Sequence, residues 1–160
     1  MLVLDFSQFL AGPSAALRLA DLGARVVKVE RPEVGDACRQ LSIANQHLDG
    51  DSVLFHTINR NKESVVADLK DPSDLLRVKA LIQQADVLIQ SYRPGVMDRF
   101  GLDYPEVAKM NSRLVYGSVS GYGAEGPWAS KPGRARCAQG LPVLPCLNGH
   151  PTVQPHPWRR

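Results

Sequence analysis

The chain has 160 residues, 44% apolar and 22% charged, which is the composition of an ordinary globular domain with a core of its own. No apolar run reaches the roughly 18 residues of a membrane span and no charged-then-apolar leader opens the chain, so the expectation is no membrane. The net charge of +3 is local, since residues 1–130 carry 14 Lys and Arg against all 16 Asp and Glu, while residues 131–160 carry five basic residues and no acid. Without aromatic interleaving or a folded motif, that excess gives no nucleic-acid surface.

The first element is the apolar run MLVLDF, residues 1–6, a strand. After the turn Ala11-Gly12-Pro13-Ser14, Ala16, Leu19, Ala20 and Leu22 fall near one face of a helix that closes on Gly23. Residues 25–30 (RVVKVE) form a second strand, and residues 33–48 a loop with a short helix. Residues 63–69 (ESVVADL) read as a third strand. Asp71-Pro72 then opens a helix through Gln84 whose apolar face is Leu75, Leu76, Val78, Ala80 and Leu81. Residues 86–92 (DVLIQSY) give a fourth strand, residues 94–100 a helical turn, residues 104–110 a helix, and residues 114–119 (LVYGSV) a fifth strand before Gly121-Tyr122-Gly123.

Strand and helix alternate with short connections, which predicts an α/β fold: a doubly wound, Rossmann-like, mostly parallel sheet. In such sheets ligands sit beyond the carboxyl ends of the strands. From residue 132 onward six of the twelve prolines accumulate without either hydrophobic period, so residues 134–160 are expected to be an irregular Pro- and Arg-rich tail. The cysteines Cys38, Cys137 and Cys146 are odd in number and lack metal spacing. They point to a reducing, cytoplasmic compartment and to no metal.

Glu30, closing the second strand, stands where a dinucleotide enzyme holds a ribose hydroxyl. The turn after the first strand, SQFLAGPSAA, lacks the G-x-G-x-x-G phosphate cradle, so Glu30 reads either as a ribose ligand or as a strand-end acid capping a turn. Arg31 beside it can clamp a phosphate in two-pronged fashion. Asn59-Arg60-Asn61-Lys62 adds two cations and two amides, and Tyr92-Arg93 with Asp98-Arg99 adds an aromatic face and further arginines. Taken together at one edge of the sheet, these clusters favour a phosphorylated adenosine. His47 and His56 lie in a segment read as irregular, with no G-x-S-x-G elbow and no HExxH, CxxC or Walker loop. The glycines of Gly117–Gly123 leave backbone N–H groups bare for an oxygen.

The segments LDFSQFLAGP, LADLGARVVKVERPEVGD, INRNKESVVADLKDP, ADVLIQSYRPGVMDRFGLDY and LVYGSVSGYGAEGPWASKPG, in this order, resemble the family III (CaiB/BaiF-type) CoA-transferases. The superfamily includes formyl-CoA transferase and the α-methylacyl-CoA racemases. The resemblance implies a partial CoA-binding domain over residues 1–133, with coenzyme A as substrate and no further cofactor. It implies acyl-CoA and a carboxylic acid as partners and a homodimer for the full-length family. Position by position, Arg31 matches a contact to the nucleotide phosphates. Asn59, Arg60, Asn61, Lys62, Ser91, Tyr92 and Arg99 match surroundings of the adenosine and pantetheine. Phe9 and Leu10 match the loop where the first strand meets CoA, and Gly121 and Tyr122 match a glycine-rich loop lining the acyl site.

The chemistry that the resemblance implies starts with an aspartate attacking the thioester, and CoA then passes through an aspartyl thioester to a second carboxylate. No Asp or Glu follows Glu125, and the matching position falls a few residues beyond Arg160. The expectation is therefore an amino-terminal fragment, from a truncated or frame-shifted gene, with no catalytic residue of its own. The alternatives are a racemase-like enzyme, which Arg134 in place of a histidine opposes, a CoA-binding-only module, or a non-functional fragment. Residues 26–29 and 87–89 are expected to be incompletely covered, leaving an association-prone domain.

Overall fold

A computed structural model describes residues 1–41, 45–129 and 131. The expected tail of residues 134–160, Gly133 and Arg134 and the cysteines Cys137 and Cys146 lie outside the described residues. The chain divides into two compact units, residues 1–119 and residues 120–160.

In the first unit the elements run β1 (Leu2–Phe6), α1 (Ala11–Asp21), β2 (Arg25–Glu30), β3 (His47–Leu48), β4 (Asp51–Ser52), α2 (Val53–Asn59), β5 (Lys62–Val66), α3 (Pro72–Gln84), β6 (Val87–Gln90), α4 (Tyr104–Met110) and β7 (Val115–Ser118). Short 3-10 turns cover Ala37–Gln40 and Asp98–Phe100. The main sheet has the order β5-β2-β1-β6-β7, with every neighbouring pair parallel. This is the doubly wound order, in which the chain winds outward from β1 and then returns past it to β6. The winding direction reverses between β1 and β6, where Phe6 pairs with Gln90.

Side-chain alternation in β1 divides the core. Leu4 and Phe6 enter the larger cluster with Val78 and Ile82 of α3 and Val107 of α4. Val3 joins Val26, Ile89, Ala16 and Ala20 under α1. A small third cluster holds Cys38, Phe55 and Ile58. Helix ends follow local chemistry. Asp71 caps α3 by accepting from the N–H groups of Ser73 and Asp74, with Pro72 as its first residue. The Asn111 amide nitrogen donates to the carbonyls of Ile82 and Ala85 at the other end. Gly23, at φ 90°, lets the Ala24 N–H turn back to the Leu19 carbonyl after α1.

Several expectations are corrected. Residues 53–59 form α2, which β-branched Val53, Thr57 and Ile58 concealed; Ser52 caps it by accepting from the Phe55 N–H at 3.0 Å. His56 is thereby a helical residue set against the Leu48 carbonyl at 3.0 Å, and His47 lies on β3. The third strand stops at Val66 because its neighbour β2 ends at Glu30, the partner of Val66. Leu22 is 84% exposed because it follows the last turn of α1, whose buried face uses Leu17 instead. Leu76 is 71% exposed and Ala80 is exposed, so the buried stripe of α3 narrows to Val78 and Ile82 flanked by Leu75 and Leu81. Residues 26–29, Leu88 and Ile89 are buried and Val87 is half-buried, so the central strands are covered on both faces apart from the start of β6. Exposure falls instead on the edge strands, at Val66 and Val115.

Candidate functional site

Beyond the carboxyl ends of β2, β5 and β6 lies a pocket of about 160 Å³. Arg31 follows β2, Ala67, Leu69 and Lys70 follow β5, and Tyr92 and Phe100 follow β6; all six line it. The Ala67 N–H donates to the Glu30 carbonyl at 2.9 Å, carrying β5 past its last ladder pair and bringing ADLK alongside Arg31. Arg31 and Lys70 are exposed, and the Arg31 guanidinium reaches the Gly35 carbonyl only at 3.4 Å. Burial pushes the Tyr92 phenol above its ordinary pKa, opposed by the Arg31 charge and by a hydrogen bond with the Gln8 side chain. With Val29 and Val96 the lining offers two aromatic rings, four aliphatic side chains and two exposed cations beside the carboxylates of Glu30 and Asp68; the rings and aliphatic side chains suit a flat ring and the exposed cations its phosphate. Sequence reasoning missed Ala67, Leu69, Lys70 and Phe100, although Lys70 stands just past the end of a strand, where the carboxyl-end rule applies.

Glu30 is fully engaged. Its Oε1 accepts from Arg39 at 2.7 Å and Ser64 at 2.7 Å, and its Oε2 from Arg39 at 2.8 Å and the Asp36 N–H at 2.9 Å. Burial by itself would raise its pKa, yet these hydrogen bonds and the Arg39 charge bring it from 4.5 down to about 2. No acceptor direction is left for a ribose hydroxyl, so the ribose reading does not hold; as a strand-end acid Glu30 caps the following turn through the Asp36 N–H, and it also anchors Arg39. Arg39 also pairs with Asp51 and lies 3.9 Å from the Phe55 ring centroid. Gly35 adopts φ 59°, and a Cβ there would stand 2.7 Å from Glu30 Oε2.

At the reversal point the loop Ser7–Leu10 rises from β1. Phe9 and Leu10 are exposed on it, and Phe9 takes a left-handed φ of 65°, a conformation that costs a non-glycine residue about 1–2 kcal/mol. Ser91 accepts from the Gln8 N–H at 2.9 Å, tying this loop to the end of β6. Gly12 of α1 is required here, because a Cβ would fall 2.2 Å from Ser7 Cβ. Beneath the loop lies a buried cluster of Asp5, Lys28, Asp36 and Lys62 that sequence reasoning did not anticipate. Its legible traces are single charges inside apolar runs, Asp5 in MLVLDF and Lys28 in RVVKV.

The cluster of residues 59–62 is placed differently from Arg31. It lies at the amino end of β5, where Lys62 pairs with Val26 near the start of β2. Asn59 is buried and donates to the Phe55 carbonyl. Arg60 pairs with Asp21 at 2.8 Å, and Asn61 is exposed at φ 62°. The Lys62 ammonium donates to Asp5, the Pro13 carbonyl and Asn59 at 2.8–2.9 Å; burial lowers its pKa, and Asp5 opposes that shift. Arg99 is exposed on the turn that supplies Phe100. Gly121 and Tyr122 belong to the second unit, where Tyr122 meets Trp128 edge to face at 5.5 Å and Lys131 lies 4.8 Å over the Trp128 ring.

A parallel sheet wound in both directions from β1, with a pocket beyond its carboxyl ends, defines an α/β protein of the Rossmann-like class. The family model for CoA-transferase family III matches residues 1–159, and the chain belongs to that family. It is 40% identical over 155 residues to the acetyl-CoA:oxalate CoA-transferase of Acetobacter aceti, covering 97% of this chain and 39% of that protein. It is 35% identical over 147 residues to the human succinyl-CoA:glutarate CoA-transferase, covering 92% of this chain and 33% of that one. Among solved structures, a CaiB/BaiF family protein from Brucella suis superposes with a TM-score of 0.78 at 37% identity, covering 83% of this chain and 35% of the other. Rv3272 from Mycobacterium tuberculosis gives a TM-score of 0.82 at 35% identity, covering 98% and 43%. The chain thus spans between about a third and about two-fifths of the length of these relatives.

Proposed function

We propose that this chain supplies the CoA-binding part of a transferase that moves CoA from an acyl-CoA to a carboxylic acid. The observation that carries the proposal is the pocket in which Arg31 and Lys70 stand beside Tyr92 and Phe100. The adenine lies against the rings and the aliphatic side chains of Ala67 and Leu69, and the cations meet the phosphates. Charge-assisted bonds from a guanidinium to phosphate oxygens are the strong kind of hydrogen bond. The exposed Phe9 and Leu10 meet the remainder of CoA at the reversal point, where ligands of such sheets bind. Arg60 and Lys62, committed to Asp21 and Asp5, serve the fold rather than the ligand.

Residues 126–160 contain neither Asp nor Glu, and the buried carboxylates Asp5 and Asp36 are held in ion pairs. In this proposal the chain binds CoA without turning it over. The test is to incubate it with acetyl-CoA or succinyl-CoA and with oxalate or glutarate, and to measure exchanged CoA esters by mass spectrometry. Binding with no exchange is the expected result. Repeated turnover by the purified chain would show that one of its own residues carries the acyl group, and absence of CoA binding would overturn the proposal itself.

A further inference from the structure

Lys28 sits in the middle of β2, one strand from the centre of the sheet, with its side chain 2% exposed. An apolar residue would complete that strand without the desolvation that a buried ammonium demands. What the lysine reaches is the loop after β1. Its ammonium donates to the Ser7 carbonyl at 2.8 Å and pairs with Asp36 at 2.8 Å and Asp5 at 3.8 Å. Both carboxylates continue to the same loop. Asp36 Oδ1 accepts from the Phe9 N–H at 3.2 Å and the Cys38 N–H at 2.9 Å, and Asp5 Oδ1 accepts from the Ser7 N–H at 2.9 Å and from the Ser7 hydroxyl. Asp36 Oδ2 has no hydrogen-bond partner among the described residues, so Lys28 is the charge that compensates it. Lys62 closes the cluster at Asp5, giving two lysines and two aspartates.

Three backbone groups of Ser7 and Phe9 are thus fixed by fully buried charges, and the Gln8 N–H is fixed by Ser91. This over-determination holds Phe9 in its left-handed conformation, and such strain gathers at ligand clamps. We propose that Lys28 is a positioning residue: through Asp5 and Asp36 it fixes the loop Ser7–Leu10 so that Phe9 and Leu10 face bound CoA. The proposal rests on CoA being the ligand of this edge of the sheet.

The test combines CoA titration with hydrogen exchange on the full chain, comparing Lys28→Met and the milder Asp36→Asn with two controls. Arg25→Met removes an exposed ion pair with Glu63 on the same strand, and Val107→Ala loosens the core under α4. Lys28→Met is expected to weaken CoA at least tenfold and to speed exchange in Ser7–Leu10 while β6 and α4 keep their protection. Asp36→Asn should move both readouts the same way by less. Both controls should keep wild-type affinity when measured below their melting temperatures. If Lys28→Met does not fold, Asp36→Asn decides. Unchanged CoA affinity despite faster loop exchange overturns the proposal. So does uniform loss of protection, or a loss of affinity in Val107→Ala equal to that in Lys28→Met. A wild type that ignores CoA defeats the choice of ligand, and the exchange profile then still decides whether Lys28 holds the loop.

Discussion

Glu30 and Arg31 are neighbours with opposite roles, decided by which way each side chain leaves the strand end. Glu30 points inward to four hydrogen-bond donors, and Arg31 stays exposed at the pocket. The depressed pKa of Glu30, about 2 against 4.5, makes a stability statement with a definite sign. Its contribution is complete above the unfolded value and is lost as pH falls from about 4.5 toward about 2. Between pH 7 and pH 3 this group should account for about 2 kcal/mol of lost stability. Denaturant melts of wild type and Glu30→Gln at both pH values measure it: the wild type should lose that much more than the variant, whose baseline stability is already lower. Parallel losses in the two proteins would show that Glu30 is not held down. The acid at the end of β2 was legible in the sequence, but its partner was not. Arg39 sits nine residues on, past a loop with no period, and only the folded backbone sets the two side chains face to face.

Elements with strong local chemistry match their sequence signals. The helix opened by Asp71-Pro72 begins where its capping aspartate and proline place it, and the one at Tyr104–Met110 begins with a proline in its first turn. Asp71→Ala removes the acceptor for two N–H groups and should cost about 1 kcal/mol, read as a lowered midpoint in urea unfolding. No change in the midpoint would mean that water serves those donors equally well. Helix α2 escaped because Val53, Thr57 and Ile58 weaken its propensity and tertiary contacts supply what propensity does not. Its cap, Ser52, also donates to the Cys38 carbonyl at 2.6 Å, a link between segments that no local window contains. For the same reason the four-charge cluster was not legible as a unit: Asp5, Lys28, Asp36 and Lys62 come from four separate stretches of chain.

At the scale of the whole molecule, the parallel sheet buries its central strands on both faces, as parallel sheets require, and leaves exposure to the two edges. Val115 on β7 is 63% exposed, and an apolar edge residue invites pairing with another chain. Val115→Lys should therefore reduce self-association in concentration-dependent size-exclusion chromatography and change stability by no more than about 0.5 kcal/mol. Identical elution of variant and wild type would place any association elsewhere. The doubly wound parallel sheet and the end of it that holds the pocket were legible from the alternation of strands and helices, whereas the strand order came only with the fold. The sequence also grouped Arg60 and Lys62 with Arg31, a grouping that the register of β5 separates. That separation makes the most direct test an isothermal titration of CoA into the wild type, Arg31→Ala and Arg60→Ala. Loss of one charge-assisted bond, about 1.5–3 kcal/mol, should weaken Arg31→Ala roughly ten- to a hundredfold. Arg60→Ala should bind like the wild type, whereas unchanged binding by Arg31→Ala, or an equal loss in Arg60→Ala, would contradict a CoA site at the carboxyl edge of the sheet.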